Sequence, residues 1–307
     1  MAMCKEAGLN ANLVLVDTRD NGDTNLDLPT IGFNHCIAQL NTGGKNYLVE
    51  LTNNYLPFGS MSYSLENANG LYIPADGKST TKAELVKLNT PNRPVNSINR
   101  KTAINFRGEN ADLERKNTRY GAEASSLRYS YKNKSEGDRK KDLLGSLSGE
   151  FNRKVNLKTL NITSLDDLSD SVVMSYNFSV DKFTSSLMGM QLFKLPWNDM
   201  YNSLDFVSLD NRTQPFSLWQ FSSTKKDYET ITVTLPAGKQ LAEVPKDVVL
   251  KHPGMTYSLT YKIKPGSIQA TREVNYIKDN ISRDEYETFK EMITQMNEAD
   301  AKQYGFK

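Results

Sequence analysis

The sequence predicts an α+β protein, mostly antiparallel sheet, arranged in two parts. Three observations lead there. From Val95 onward, short strand-like runs follow one another, separated by Gly, Pro, Asn and Asp. Two of them, Thr256–Lys264 and Ser267–Ile277, are joined by Pro265-Gly266, and Tyr257, Leu259, Tyr261 and Ile263 alternate with polar residues as a half-buried strand requires. Helical spacing marks only two long segments. Leu143, Leu144, Leu147 and Phe151 recur at three and four residues in Gly137–Phe151, and Tyr286, Phe289, Ile293 and Met296 form one stripe in Arg283–Lys302.

Composition agrees. Tyrosine outnumbers tryptophan 15 to 2, amid many Asn, Ser and Thr, which suits short half-exposed strands. A chain of 307 residues has room for two domains. A net charge of +2 gives no electrostatic case for nucleic acid. Cys4 and Cys36 are the two cysteines, so no disulfide framework is implied. No run reaches the roughly 20 apolar residues of a membrane helix, and MAMCKEAGLNANLVLV lacks the basic start of a signal peptide.

In chain order, residues 1–8 read as the tail of a helix closed by Gly8, too short to stand alone, so a longer parent chain is expected. Leu13–Val16 is a buried strand, and Asp17–Pro29 a polar loop turning at Asn21-Gly22-Asp23. Ile31–Leu40 and Lys45–Leu51 form a hairpin about Asn41-Thr42-Gly43-Gly44. Asn53–Leu71 is irregular. Ala75–Pro94 carries linker signals and a domain boundary near residue 90. Strands are then expected at Ser97–Phe106, Ala124–Lys132, Lys154–Ile162, Ser171–Val180, Ser186–Leu195, Glu229–Leu235 and Val248–Lys251. The final helix opens with a Ser282/Glu285 capping box, and its stripe packs on the sheet.

The hairpin carries the chemistry. A loop centred between Thr42 and Gly43 sets His35 opposite Glu50, on one face, with Cβ atoms roughly 5 Å apart. An imidazole beside a carboxylate is the orienting half of a nucleophile–base–acid triad; the plainer reading is a cross-strand pair on a surface hairpin. Phe33, His35 and Ile37 share a face that Cys36 does not, so Cys36 cannot serve its neighbour and reads as a small buried hydrophobe. Cys4 lies near a helix C-terminus, where the dipole does not favour a thiolate, and also reads as buried. His252 sits in a turn without metal-binding company. Asp17, Asp20, Asp23 and Asp27 lack calcium-loop spacing. Asn161-Ile162-Thr163 matches a glycosylation acceptor. Phosphate-binding loops, G-x-S-x-G and H-E-x-x-H are absent from the sequence. Neither a cofactor nor a metal is expected.

In MCKEAGLNANLVLV, FNHC and LVELT, the first quarter of the chain resembles bacterial transglutaminase-like proteins of the papain-like superfamily: a helix end and strand, then a His-bearing strand, then an acid-bearing strand before Thr. The resemblance implies that His35 is the general base and that Glu50 stands where the family has Asp. It places the catalytic Cys about two helical turns before Met1, a position Cys4 does not match. YGAEASSLRYSY, VTLPAGKQLAEVPKDV, REVNYI and DEYETFKEM resemble the β-rich domain that follows this core in large bacterial envelope proteins. Residues 1–90 would then be a partial transglutaminase-like core. Residues 91–307 would be a β-sandwich-like or barrel-like domain with an inserted helix and a C-terminal helix. Two functions are implied. One is a non-catalytic binding or scaffolding module, partnered by protein, peptide or glycan at the periplasm or cell envelope. The other is part of a thiol acyltransferase or cysteine peptidase whose nucleophile lies upstream.

Overall fold

The computed structural model describes residues 2–22, 32–74, 84–89, 96–168, 171–198, 207–221 and 224–307. A short helix α1 (Ala2–Glu6) leads into β1 (Asn10–Asp17). With β2 (His35–Thr42), β3 (Lys45–Val49), β4 (Asn69–Ile73) and β5 (Glu84–Lys87), β1 forms an antiparallel sheet in the order β3-β2-β1-β4-β5. Val14, Val16, Ile37 and Leu48 stack on one face of it and close over Met61 and Leu65 from the loop after β3. β4 begins inside the stretch expected to be irregular, and β5 falls within the expected linker. The expected boundary near residue 90, Asp23 of the expected turn, and Asp27 lie outside the described residues.

The hairpin turn corrects the expected register. Gly43 and Gly44 both take positive φ, 58° and 72°, and alone form the turn, so Thr42 pairs with Lys45 and Ala38 with Val49. Each partner moves by two residues from the expected pairing. Strand side chains alternate with period two, so this even shift leaves every residue on its expected face.

A larger mixed sheet follows. β6 (Ser97–Arg107) and β7 (Asn110–Tyr120) lead to helices α2 (Ala122–Tyr131) and α3 (Glu136–Phe151), then to β8 (Val155–Thr163) and β9 (Val172–Val180). Next come β10 (Ser185–Leu187), β11 (Met190–Lys194), β12 (Phe216–Ser217), β13 (Lys226–Thr234), β14 (Val248–His252), β15 (Met255–Lys264), β16 (Ser267–Tyr276) and β17 (Asn280–Ile281). The chain closes with α4 (Tyr286–Asp300) and β18 (Gln303–Phe306). Eight strands run in the order β14-β15-β16-β13-β6-β7-β9-β8; β13 and β6 are parallel and all other neighbours antiparallel. β10, β11 and β18 make a three-stranded sheet. Phe106 of β6 meets Phe193 of β11 and Phe306 of β18, at 5.2 and 4.9 Å between ring centroids, so the small sheet layers on the large one. The α+β, mostly antiparallel class is as expected.

Other elements also differ from the sequence reading. Residues 122–131 are helix, not strand. Ala124, Leu127, Arg128 and Tyr131 are among its buried residues at helical spacing, and the arginine among them hides the stripe. Gly121 starts that helix at φ 60°, where a Cβ would stand 2.2 Å from Asn96 Oδ1, the acceptor for the Ala122 amide. Residues 185–194 fold back as the hairpin β10–β11 rather than as one strand. A final strand, β18, follows the C-terminal helix.

Charge lies inside the large sheet. Glu229 on β13 is the register partner of both Arg100 on β6 and Arg272 on β16, and all three are buried. Arg100 Nε donates to Glu229 Oε2 at 2.6 Å; Arg272 pairs with Glu229 and with Asp300 of α4. Burial alone would raise the Glu229 carboxyl, but the two guanidiniums and the Asn198 amide outweigh it and hold it at about 2. A second cluster ties the two sheets together. The Arg19 guanidinium lies 4.3 Å from the Trp219 ring and pairs with Asp279 at 2.8 Å, and Asp279 also accepts from Lys225 and Asn67.

Candidate active site

His35 opens β2 at the end of the hairpin remote from the Gly43-Gly44 turn, paired with Val16 of β1. Asn34 fastens this end. Its side-chain amide exchanges hydrogen bonds with the Thr18 amide and hydroxyl, and its backbone N–H donates to Val16 O. Glu50 directly follows β3. Extending the observed register sets Glu50 opposite Ile37, one diagonal step from His35 on the same face. The diagonal suffices: His35 Nε2 donates to Glu50 Oε2 at 2.7 Å.

The pair sits at the rim of the small core. The Glu50 side chain is 3 % exposed and the His35 side chain 22 %. The other Glu50 oxygen, Oε1, accepts both the Thr52 amide and the Thr52 hydroxyl at 2.6 Å. Burial pushes the Glu50 carboxyl up, but Thr52 and His35 outweigh it and hold it below its ordinary value. An ionised Glu50 can only accept, so neutral His35 keeps its proton on Nε2 and presents Nδ1 as the basic nitrogen.

Beyond Thr52 the chain is fixed by α2. Asn53 Oδ1 accepts from the Tyr55 amide and the Ser125 hydroxyl, and Arg128 donates to Tyr55 O at 3.4 Å. A cavity of about 490 Å³ lies between this loop and α2, bordered by Thr52, Tyr55, Tyr63, Ser125 and Tyr129, with no charged side chain among the described residues of its wall. The sequence reading passed over Thr52 as a participant. Its signal was a hydroxyl two residues after the acid, within reach of a local turn.

The thiols stand apart. Cys36 is exposed rather than buried, because its side of β2 is not the one that carries Ile37 into the core. Cys4 is half-buried. Among the described residues no hydrogen bond joins either sulfur to His35, and no group of three or more His, Cys, Asp or Glu could hold a metal. His252 is buried at the end of β14; its Nδ1 accepts from the Gly254 amide and its Nε2 faces Glu285 O, so it serves the fold.

Residues 190–306 match the model of a domain of unknown function, DUF3858. No curated protein matches the chain. A solved structure from Parabacteroides distasonis, provisionally described as a protease, aligns with 99 % of this chain and 41 % of its own, at 14 % identity and a TM-score of 0.49. The chain thus spans about two fifths of that protein's length. Among the described residues, no helix is long and apolar enough to cross a membrane.

Proposed function

We propose that His35 and Glu50 are the general base and orienting acid of a thiol acyl-transfer centre of the transglutaminase or cysteine-peptidase kind. The single observation carrying this reading is the buried, ionised Glu50, clamped on one oxygen by Thr52 and bound to His35 Nε2 through the other. Glu50 fixes the tautomer, and Nδ1 would take the proton of an attacking thiol and return it to the leaving amine. The glutamate, one methylene longer than the family's aspartate, meets the imidazole on the diagonal. The uncharged cavity beyond Thr52 supports a neutral peptide substrate.

The nucleophile would come from outside these 307 residues, since neither sulfur of this chain bonds to His35. These residues by themselves would form the non-catalytic, partner-binding part, partnered by protein, peptide or glycan. Its resemblance to envelope proteins supports a site of action in the periplasm or cell envelope. The test labels the longest natural polypeptide containing these residues with a thiol-directed acyl probe. Labelling that disappears in His35→Ala, with the fold retained, is the expected result. A folded parent that takes no label, or labels equally without His35, refutes the reading.

A further inference from the structure

A second cavity, of about 620 Å³, opens between the ends of α3 and α4 and the segment after β11. Its size is that of a small-ligand site. Phe151, Phe193 and Trp197 give it aromatic walls. Two other observations describe what it would hold. Among the described residues, the Trp197 indole N–H and both amide atoms of Asn297 are buried without a hydrogen-bond partner, and both residues line the cavity. Buried polar groups are rarely left so. The charge on the walls is also unbalanced. Glu150 is committed to Arg115 through two bonds of 2.7 and 2.8 Å. Asp300 is committed to Arg272 and to the Tyr257 hydroxyl. Arg153 and Lys194, at the exposed rim, have no ion-pair partner among the described residues.

We propose that this cavity binds the C-terminus of a peptide ending in an apolar residue. The apolar side chain lies among the aromatic rings. The penultimate residue, in extended conformation, satisfies Asn297 at both ends, its own carbonyl accepting from the side-chain nitrogen and its own N–H donating to the side-chain oxygen. The free carboxylate accepts from the Trp197 N–H and faces Arg153 and Lys194. A fatty acid shares the apolar body and the carboxylate but offers nothing for Asn297 to donate to and accept from together. The site is independent of His35 and Glu50, and Lys194, Trp197, Asn297 and Asp300 all fall in the segment matching the domain of unknown function.

Calorimetric titration of the intact 307-residue chain tests this with three probes: N-acetyl-leucyl-phenylalanine, its C-terminal amide, and decanoate. The free acid is expected to bind saturably with Kd below about 1 mM, and the amide at least about fivefold more weakly. The double variant Arg153→Glu/Lys194→Glu, confined to exposed side chains, should weaken the acid by a similar factor. Asn297→Leu should weaken the peptide and leave decanoate unchanged. Absence of saturable heat, equal binding of acid and amide, decanoate binding as tightly as the peptide, or peptide binding unchanged by Asn297→Leu would each overturn the proposal. Tryptophan fluorescence of the same titration gives an independent reading, because Trp197 borders the cavity.

Discussion

Replacing Glu50 by glutamine exchanges a carboxylate for an amide of nearly the same shape, and the structure sets the outcome. The new side chain can keep accepting both Thr52 bonds through its oxygen. Its nitrogen then faces His35 Nε2, which already carries a proton: two donors would meet at the present 2.7 Å. The ring escapes by moving its proton to Nδ1, which restores a neutral bond and removes the basic nitrogen from the open side. Three charge-assisted bonds thereby become neutral ones, each weaker by about 1 kcal/mol. Partial exposure of His35 lowers the sum, so Glu50→Gln should destabilise by about 2–3 kcal/mol. Nitrogen chemical shifts of the His35 ring report the tautomer, and urea unfolding reports the energy. A ring that stays protonated at Nε2, or a stability loss below about 0.5 kcal/mol, would refute the account of Glu50 as the group that orients His35.

Two further predictions concern the interior of the large sheet. Glu229→Gln leaves Arg100 and Arg272 buried without their shared counter-charge, so it should cost about 3–5 kcal/mol, measured by urea unfolding. The same carboxylate makes stability depend on pH. Its folded value lies near 2, below the ordinary 4.5, so its contribution is complete above 4.5 and lost as pH falls toward 2. That gap corresponds to about 3 kcal/mol. Glu50, also lowered, acts in the same direction. Unfolding midpoints should drop through this window in the native chain and more shallowly in Glu229→Gln.

How much of this could be read from the sequence depended on where polar residues went. Gly43-Gly44 and Pro265-Gly266 announced their hairpins because turn chemistry is local. The Ser282/Glu285 capping box formed as expected at the start of the last helix. β7 escaped notice since NADLERKNTRY is mostly polar, yet Ala111, Leu113 and Arg115 alternate into the core, with Arg115 neutralised by Glu150 from α3. The Arg100–Glu229–Arg272 rung was hidden for the same reason: a buried charge must be paired, and here Arg100 and Arg272 lie 129 and 43 residues from Glu229. His35 and Glu50 could be brought together by counting alone, and the miscounted register did no harm because the error was even. The Thr52 clamp had only a faint signal, a hydroxyl two residues after the acid, because nothing local announces that the strand ends at Val49 and the chain turns back on Glu50.

The single parallel pairing in the large sheet bears on how this chain can be divided. β13 lies inside the segment 190–306, but one of its flanks is β6, whose residues 97–107 lie far outside it, in register over nine residues from Lys226–Ser97 to Thr234–Asn105. A polypeptide cut at residue 190 would bare that flank as a long, unprotected row of backbone donors and acceptors at the middle of what had been a continuous sheet. Such a piece would be inclined to self-associate strand to strand. A unit that keeps this flank covered therefore has to reach back at least to Ser97, so the segment matching the domain of unknown function is shorter than the sheet it helps to build.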